Sequence, residues 1–391
     1  MNTIRSRLLA LWIMHFCLDF FVGVWPVYKT IAGLDLAKAG FIVAIAGFLG
    51  ETLQLLFGYL ADRGLHKMLI ILGLTLSSCI CLIPYTSNYS LYFILLLFLY
   101  LGSGAFHPAA AGAMSCLSSG KQSLSMTFFT SGGQVGFALS QILFVWAFHA
   151  FKGHTLLLFI PIGICFFCIR KMEFGHKALS SKKNTLQDLI ETFGKAKKEL
   201  SLLYFSQVAN QIVFYSLIFL LPDFLQQKGY SSALCLGGGH LCVVLGAALM
   251  MIPMGIIADR IGEKYPIYIC STLTIILIYS FLLWPPESEL VTGGMLFIIG
   301  ANLGALNPIF VAFGQRLFPN HLGTISAFLM GIAWSFSNLS YAVAGWLAKT
   351  ASIAGALLAI SGLLFVPLIL VMQLELLLEK KRTAQLTPIR G

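Results

Sequence analysis

The chain alternates long apolar runs with short polar intervals, almost from end to end. Six runs cover residues 8–28, 39–60, 68–83, 92–114, 124–150 and 155–169. After a polar interval, six more cover 202–225, 234–257, 266–283, 291–313, 322–347 and 353–376. A helix needs roughly 20 apolar residues to cross the hydrocarbon core, and most of these runs suffice. The sixth is short, and Arg170 at its end can snorkel toward the headgroups. Strands of a membrane barrel would be half as long and would alternate apolar with polar positions. The pattern therefore predicts an all-α integral membrane protein with about twelve transmembrane helices. The first run follows Arg5 and Arg7 with no small-residue cleavage site after it, so it reads as a retained helix and not a signal peptide.

Two of the runs end in the same phrase. Gly58-Tyr-Leu-Ala-Asp62-Arg63 is answered by Gly255-Ile-Ile-Ala-Asp259-Arg260, and the Asp-Arg pairs are 197 residues apart. A second match pairs Gly104-Ala-Phe-His107-Pro108 with Gly304-Ala-Leu-Asn307-Pro308, at an offset of 200. Repetition at half-chain spacing predicts two six-helix bundles, a transporter architecture. The fourth and tenth spans each carry a polar residue before proline. Proline removes a backbone hydrogen bond, tolerable at this depth only beside protein or a watery cavity. The expected divisions are 1–170 for the first bundle, 171–199 for an intervening loop, 200–378 for the second bundle and 379–391 for a tail. Within the loop, Leu186, Leu189, Ile190 and Phe193 follow helical spacing behind a possible Asn184 cap. With Lys195, Lys197 and Lys198 alongside, this segment would lie on the membrane surface or pack on the bundle face.

Composition agrees. Of 391 residues, 58% are hydrophobic and 10% charged, against about 25% charged in soluble domains. A net charge of +10 would suit nucleic acid, but its placement points elsewhere. With the N-terminus in the cytoplasm, 20 of the 25 Lys and Arg fall on the inner side. Such a bias places both termini in the cytoplasm and leaves no expectation of a nucleic-acid partner. The nine cysteines lie in or beside apolar spans. Cys165 and Cys168 have metal-pair spacing, yet no further ligand lies near in sequence, so they read as small buried hydrophobes.

The repeated Asp-Arg turns resemble the loop signature of the major facilitator superfamily. The second, Asp259-Arg260-Ile-Gly262-Glu263-Lys264, follows it more closely than Asp62-Arg63-Gly64-Leu65-His66-Lys67. A narrower resemblance rests on His15-Phe-Cys-Leu-Asp19, Gln54-Leu-Leu-Phe-Gly58, Ala105-Phe-His107-Pro108 and Gly132-Gly133-x-x-Gly136-x-Ala138-Leu139. These are similar to the fosmidomycin-resistance-type efflux proteins. Ala109 stands where that family usually has Glu, and Ser140-Gln141 where it often has Gly-Pro. The resemblance implies proton-linked or facilitated movement of a small organic solute by alternating access. It also makes Asp62, Arg63, Asp259 and Arg260 cytoplasmic gate residues, pairing across the halves in one state and parting in the other.

Charges within the bilayer are rare, because an Asp at a helix centre costs about 2.5–3.5 kcal/mol even on lenient scales. Asp19 lies about eleven residues into its span, roughly 16 Å deep, and Glu51 roughly 14 Å from the inner end of the second. A carboxyl withdrawn from water can bind and release a proton near neutral pH, as a coupling site requires. His15 shares a helix face with Asp19, and His107 lies in the same half. These four are the proton-coupling candidates; a merely structural hydrogen bond is the alternative for each. The candidates for a solute cavity are Gln134, Asn210, Gln211, Asn307, Trp334 and Asn338, whose amides and indole suit a polar organic solute. Interhelical bonding is the alternative there.

No paired metal ligands, phosphate loop or nucleophile elbow is visible. An enzyme is therefore not expected, nor any cofactor or resident metal. The expected partners are a small-molecule substrate, protons and membrane lipids, with the chain a monomer in the bacterial inner membrane. Proton-coupled efflux is the first expectation and import of a nutrient or metabolite the second. A receptor or enzyme on a transporter-like scaffold is a distant third.

Overall fold

The computed structural model describes residues 4–117, 122–172, 194, 197–318 and 325–386. All secondary structure among these residues is helical. In chain order the helices are α1 (Ile4–Ile31), α2 (Leu36–Leu60), α3 (Arg63–Tyr85), α4 (Tyr89–Leu117), α5 (Gln122–Ala150) and α6 (Thr155–Arg170). The second set is α7 (Lys197–Gln227), α8 (Leu234–Ile261), α9 (Lys264–Leu283) and α10 (Glu289–Leu317). It continues with α11, built of Ala327–Ile332, Ala333–Asn338 and Ser340–Thr350, and α12 (Ile353–Lys381). Ten of the twelve are long and apolar enough to cross a membrane. The other two are α6, short as its sequence implies, and α11, interrupted by a turn at Leu339. The result is two six-helix bundles, α1–α6 and α7–α12. The proposed loop helix at 184–193 lies outside the described residues.

With six spans in each bundle, both termini lie at one end, called here the terminal end; the other is the far end. Outward faces carry large exposed side chains such as Phe41, Leu49, Phe167, Ile252 and Ile276. In water this would be a liability; against lipid tails it is the stable arrangement. At the far end, side-chain caps start α2 and α12, where Asp35 and Ser352 each accept a backbone N–H at 2.9 Å. At the terminal end, glycines with left-handed backbone make the turns after the repeated phrases, Gly64 at φ 91° and Gly262 at φ 89°. Any side chain would be strained there. Cys165 meets Cys17 of α1, with the sulfurs 3.9 Å apart, in an apolar contact between α6 and α1.

The apolar core is not uniform along the long axis. One cluster runs the length of the first bundle, from Leu11 and Leu69 to Trp25 and Phe144, and joins only the far half of the second, through Phe219 and Phe281. A second is confined to the terminal end of the second bundle, around Leu203, Ile267, Phe310 and Leu374. The bundles thus share an apolar core at the far end, and toward the termini the second bundle has a core of its own.

Contacts across the bundles follow that gradient. α1 runs to Ile31, past its expected end at 28, which buries Lys29 completely. The Lys29 ammonium pairs with Asp223 of α7 and sits 4.6 Å from the Phe219 ring centroid. Thr30 donates to the same carboxylate at 3.0 Å. Nearer the surface, Lys349 reaches Asp35 at 2.6 Å. Lys349 and the Lys38 backbone N–H hold the Asp35 carboxyl below the ordinary carboxylate range. Being a depressed carboxylate, Asp35 stabilises this contact at neutral pH, and the contribution is lost on acidification. Its partner Lys349 is about half exposed, so the pair is worth little.

Candidate functional site

Between the bundles lies a cavity of about 420 Å³. α1, α2, α4 and α5 supply one wall, and α7, α8, α10 and α11 the other. It extends from Trp25 and Pro26 on the far side to Met126 and Ser326 toward the termini. On the far side it is shut by the Lys29–Asp223 pair. It is also shut by α5 against α8, where the His240 Nε2 donates to the Phe137 carbonyl at 2.7 Å, and by α2 against α11. On that last seam Gly345 packs on the Leu36 carbonyl at the far end; level with the cavity, Ser335 donates to the Phe48 carbonyl at 3.0 Å and its hydroxyl lies 2.6 Å from that of Thr52.

The four coupling candidates meet on the first-bundle wall. Asp19 and His15 are one turn apart on α1, and the His15 Nε2 is 3.3 Å from Asp19 Oδ2. His107 comes from α4, with its Nε2 3.3 Å from Asp19 Oδ1. Each imidazole is fixed by its other nitrogen. The His15 Nδ1 donates to the Phe129 carbonyl at 2.8 Å, and the ring stacks on Phe129 with centroids 4.1 Å apart. The His107 Nδ1 donates to the Ser103 carbonyl at 3.0 Å. Ser103 in turn donates from its hydroxyl to Glu51 Oε1 at 2.8 Å, and Gln54 donates to Glu51 Oε2 at 2.9 Å. A continuous polar chain therefore links Asp19, His107, Ser103 and Glu51 across α1, α4 and α2.

These contacts set a proton count. A carbonyl oxygen only accepts, so both Nδ1 atoms carry hydrogen and both Nε2 atoms are left to face the Asp19 carboxyl. Each Nε2–oxygen contact holds only with a hydrogen in it; without one, lone pair faces lone pair. Two protons at these contacts, on two imidazoles and one carboxylate, leave a single net positive charge on the trio. Glu51, with a donor on each oxygen, is satisfied as a carboxylate. Removing one proton from the trio must break one His–Asp contact. The three donor atoms lie within 4.8 Å of one another, near enough for a divalent ion, but hydrogen-bond lengths account for the contacts and no metal is assigned.

Gly133 of α5 packs directly on this trio: a Cβ built there would collide with Asp19 Oδ2 and His15 Nε2. Overpacking of this kind costs about 1–3 kcal/mol. Gly133→Ala is therefore expected to lower the transport rate at least several-fold while the protein still inserts, a change visible by comparing transport per folded molecule. Parent-like transport would show that the trio tolerates displacement.

The solute-cavity candidates divide. Gln134, Gln211, Asn307, Trp334 and Asn338 line the cavity. Asn210 does not: it is fully buried and donates to the Leu303 carbonyl at 3.1 Å, tying α7 to α10. Asn307 also accepts from Gln207 of α7, and the Asn338 amide donates to the Trp334 carbonyl at 3.1 Å. Of the gate candidates, Arg63 stacks on and bonds Tyr59 of its own bundle. Asp259 lies 3.4 Å from Arg316, again within one bundle, and Arg260 is exposed. The Asp62 side chain lies outside the described set. Sequence reasoning passed over Ser103, Gln54, Tyr100, Tyr215 and Tyr341 in the cavity wall, and the Lys29–Asp223 pair.

Two helical bundles closing on a cavity with charged and amide groups midway along the helices, shut on one side, have the architecture of a membrane transporter. The model of the Major Facilitator Superfamily matches residues 7–345, and the chain belongs to that superfamily. Membership makes it a transporter and not an enzyme. Among curated relatives, the fosmidomycin resistance protein of Escherichia coli K12 is 23% identical over 353 residues, covering 85% of this chain and 82% of the relative. An uncharacterized MFS-type transporter of Bacillus subtilis 168, YfnC, is 22% identical over 397 residues, covering 92% and 90%. Among solved structures, a bacterial homolog of the human lysosomal transporter Spinster, inward-facing and occupied, superposes with a TM-score of 0.77 at 14% identity, covering 96% of this chain and 97% of that one. The nucleoside transporter NupG gives 0.73 at 15% identity, covering 95% and 99%. At those identities the structures establish the fold alone.

Proposed function

We propose that this transporter exports a small organic solute across a bacterial inner membrane in exchange for protons. The observation that carries the reading is the Asp19 carboxyl held between two imidazoles whose remaining nitrogens are locked on backbone carbonyls. The contact between His107 and Asp19 joins α4 to α1, whereas that between His15 and Asp19 lies within α1. Proton loss at the first contact therefore frees one helix from another, and a chemical event becomes a mechanical one. Efflux as the direction draws on the likeness to a resistance protein.

In this reading the terminal end faces the cytoplasm and the far end is closed. Asp62, Arg63, Asp259 and Arg260 belong to the opposite state, in which the terminal end shuts and the two turns meet. Asp62→Asn with Asp259→Asn should then lower transport and favour the present state. Full activity in that double variant would reduce these charges to topology markers.

Orientation has its own test. A reporter fused after Lys183, and one at the C-terminus, should read cytoplasmic, while one at Ser87–Asn88 should read external. An external signal after Lys183 would sink the six-plus-six orientation. Direction and coupling are tested with a solute panel in inside-out and right-side-out vesicles under an imposed pH gradient. Proton-driven accumulation into inside-out vesicles with an acidic lumen is the expected result; movement indifferent to the gradient would overturn the coupling.

A further inference from the structure

We infer that the cavity is built for a monovalent organic cation carrying an aromatic ring, taken up one for one against a proton of the Asp19 trio. The exchange clause rests on the proton-coupled reading above; the substrate class rests on the cavity wall itself.

Charge comes first. Among the described residues that line the cavity, the titratable groups are Asp19, Glu51, His15, His107 and the tyrosines Tyr100, Tyr215 and Tyr341; none is Lys or Arg. α5, packed against the trio, presents Gly133 there and the neutral Thr130 and Gln134 beside it. The nearest buried ammonium, Lys29, is consumed by Asp223. A carboxylate, phosphate or phosphonate would thus enter with no fixed cation to meet it. The hydrogens on both Nε2 atoms point at Asp19 and are not free for a guest. Burying an unpaired anion there is strongly unfavourable.

A cation fits the count. With both His–Asp contacts closed the trio carries one positive charge, Glu51 carries one negative charge, and the cavity is neutral. When one proton leaves, the cavity holds one unbalanced negative charge. A monocation restores neutrality, and the returning proton expels it. Each exchange balances: one N–H···O contact opens to solvent with its proton, and one cation takes its place.

Aromatic lining is the independent observation. Trp25, Phe129, Phe214, Tyr215, Trp334 and Tyr341 all face the cavity. Tyr215 and Tyr341 stack on each other, with centroids 5.6 Å apart and 11° between planes. Ring faces attract cations and stack on aromatic guests. On the same side the Trp334 Nε1 has no hydrogen-bond partner among the described residues, and Gln211 and Asn307 offer amides for polar substituents. A volume of about 420 Å³ falls in the range of small-ligand pockets.

The test uses the purified full-length transporter, monodisperse in detergent, and three guests of similar body: biphenylmethyl-trimethylammonium, biphenylmethanol and biphenylmethyl phosphonate. Calorimetry at pH 8 should find the ammonium ion bound about tenfold or more tighter than the other two. In weak buffer it should release about one proton per molecule bound, with affinity falling about tenfold per pH unit of acidification. Glu51→Gln should weaken the ammonium ion selectively, and Trp334→Phe should reduce the tryptophan quenching it causes, leaving the part due to Trp25. Equal or tighter binding of the phosphonate, equal binding of the alcohol, or binding of none would overturn the substrate class. Selective binding of the ammonium ion with no proton release and no pH dependence upholds the class and overturns the exchange, and with it the coupling reading.

Discussion

Replacing Asp19 by Asn should leave solute exchange running while accumulation against a gradient disappears. Asn keeps the shape of the carboxylic acid and presents an oxygen and an amide to His15 and His107, so both contacts at 3.3 Å can be kept. It cannot gain or lose a proton. On the proposed coupling, exchange of one proton per solute in the parent allows about a tenfold solute gradient per unit of pH gradient. In Asp19→Asn that ratio should fall to about one, and counterflow of labelled against unlabelled solute should lose its pH dependence. Glu51→Gln separates the roles. If Glu51 only balances charge, the variant still couples but binds its solute more weakly. If accumulation in both variants matches the parent at every pH, neither carboxyl couples and the energy comes from elsewhere.

The second large effect concerns the far end. Lys29 is fully buried, and its ammonium lies between Asp223 and the Phe219 ring. Removing one partner of a buried ion pair costs about 3–5 kcal/mol, because the other charge stays in place without its counterion. That cost applies only while the far end is shut; once it opens, water solvates the survivor. Lys29→Met or Asp223→Leu alone should therefore shift the balance toward the far-open state by about two to four decades. Spin labels at Ser87 and Glu287, in a cysteine-free background, should report a longer distance in either single variant. The double variant removes both charges, and apolar replacement of a buried pair is often neutral or stabilising. Its label distance should return to that of the parent, with transport slowed because the closed state is now too comfortable. Unchanged distances in both single variants would show that the pair does not hold the far end shut.

The architecture was legible because transbilayer helices leave a strong trace and because the duplicated phrases counted the spans. The acids and histidines were legible for the same reason: ionisable groups stand out in apolar runs. The structure puts all four within one hydrogen-bonded chain. Other parts left no such trace. Ser103 and Tyr100 are ordinary residues for a membrane helix, and only their position against Glu51 and the cavity gives them a role. Lys29 sits at the edge of its apolar run, where topology charges normally lie, and its partner is 194 residues away. Asn210 and Gln211 are neighbours on α7, a helix buried on most sides. One residue is a rotation of about 100°, which sends the first amide into a helix contact and the second into the cavity. Without a polar face to phase such a helix, its sequence alone cannot choose between them.

The seams between the bundles differ. On one side α2 and α11 stay in touch from Leu36 against Gly345 to Gln54 against Gly331. On the other, α5 and α8 meet at Ile142 against Gly237 and Phe137 against His240, after which Met126 and Met251 both line the cavity. The α5–α8 edge is thus the less stitched of the two, and an opening along it would face sideways, into the acyl chains of one leaflet as well as into water. For an aromatic guest the effective supply is then the amount dissolved in that leaflet. Apparent affinity measured in vesicles should track the guest's oil–water partition, even where its intrinsic affinity for the pocket is unchanged.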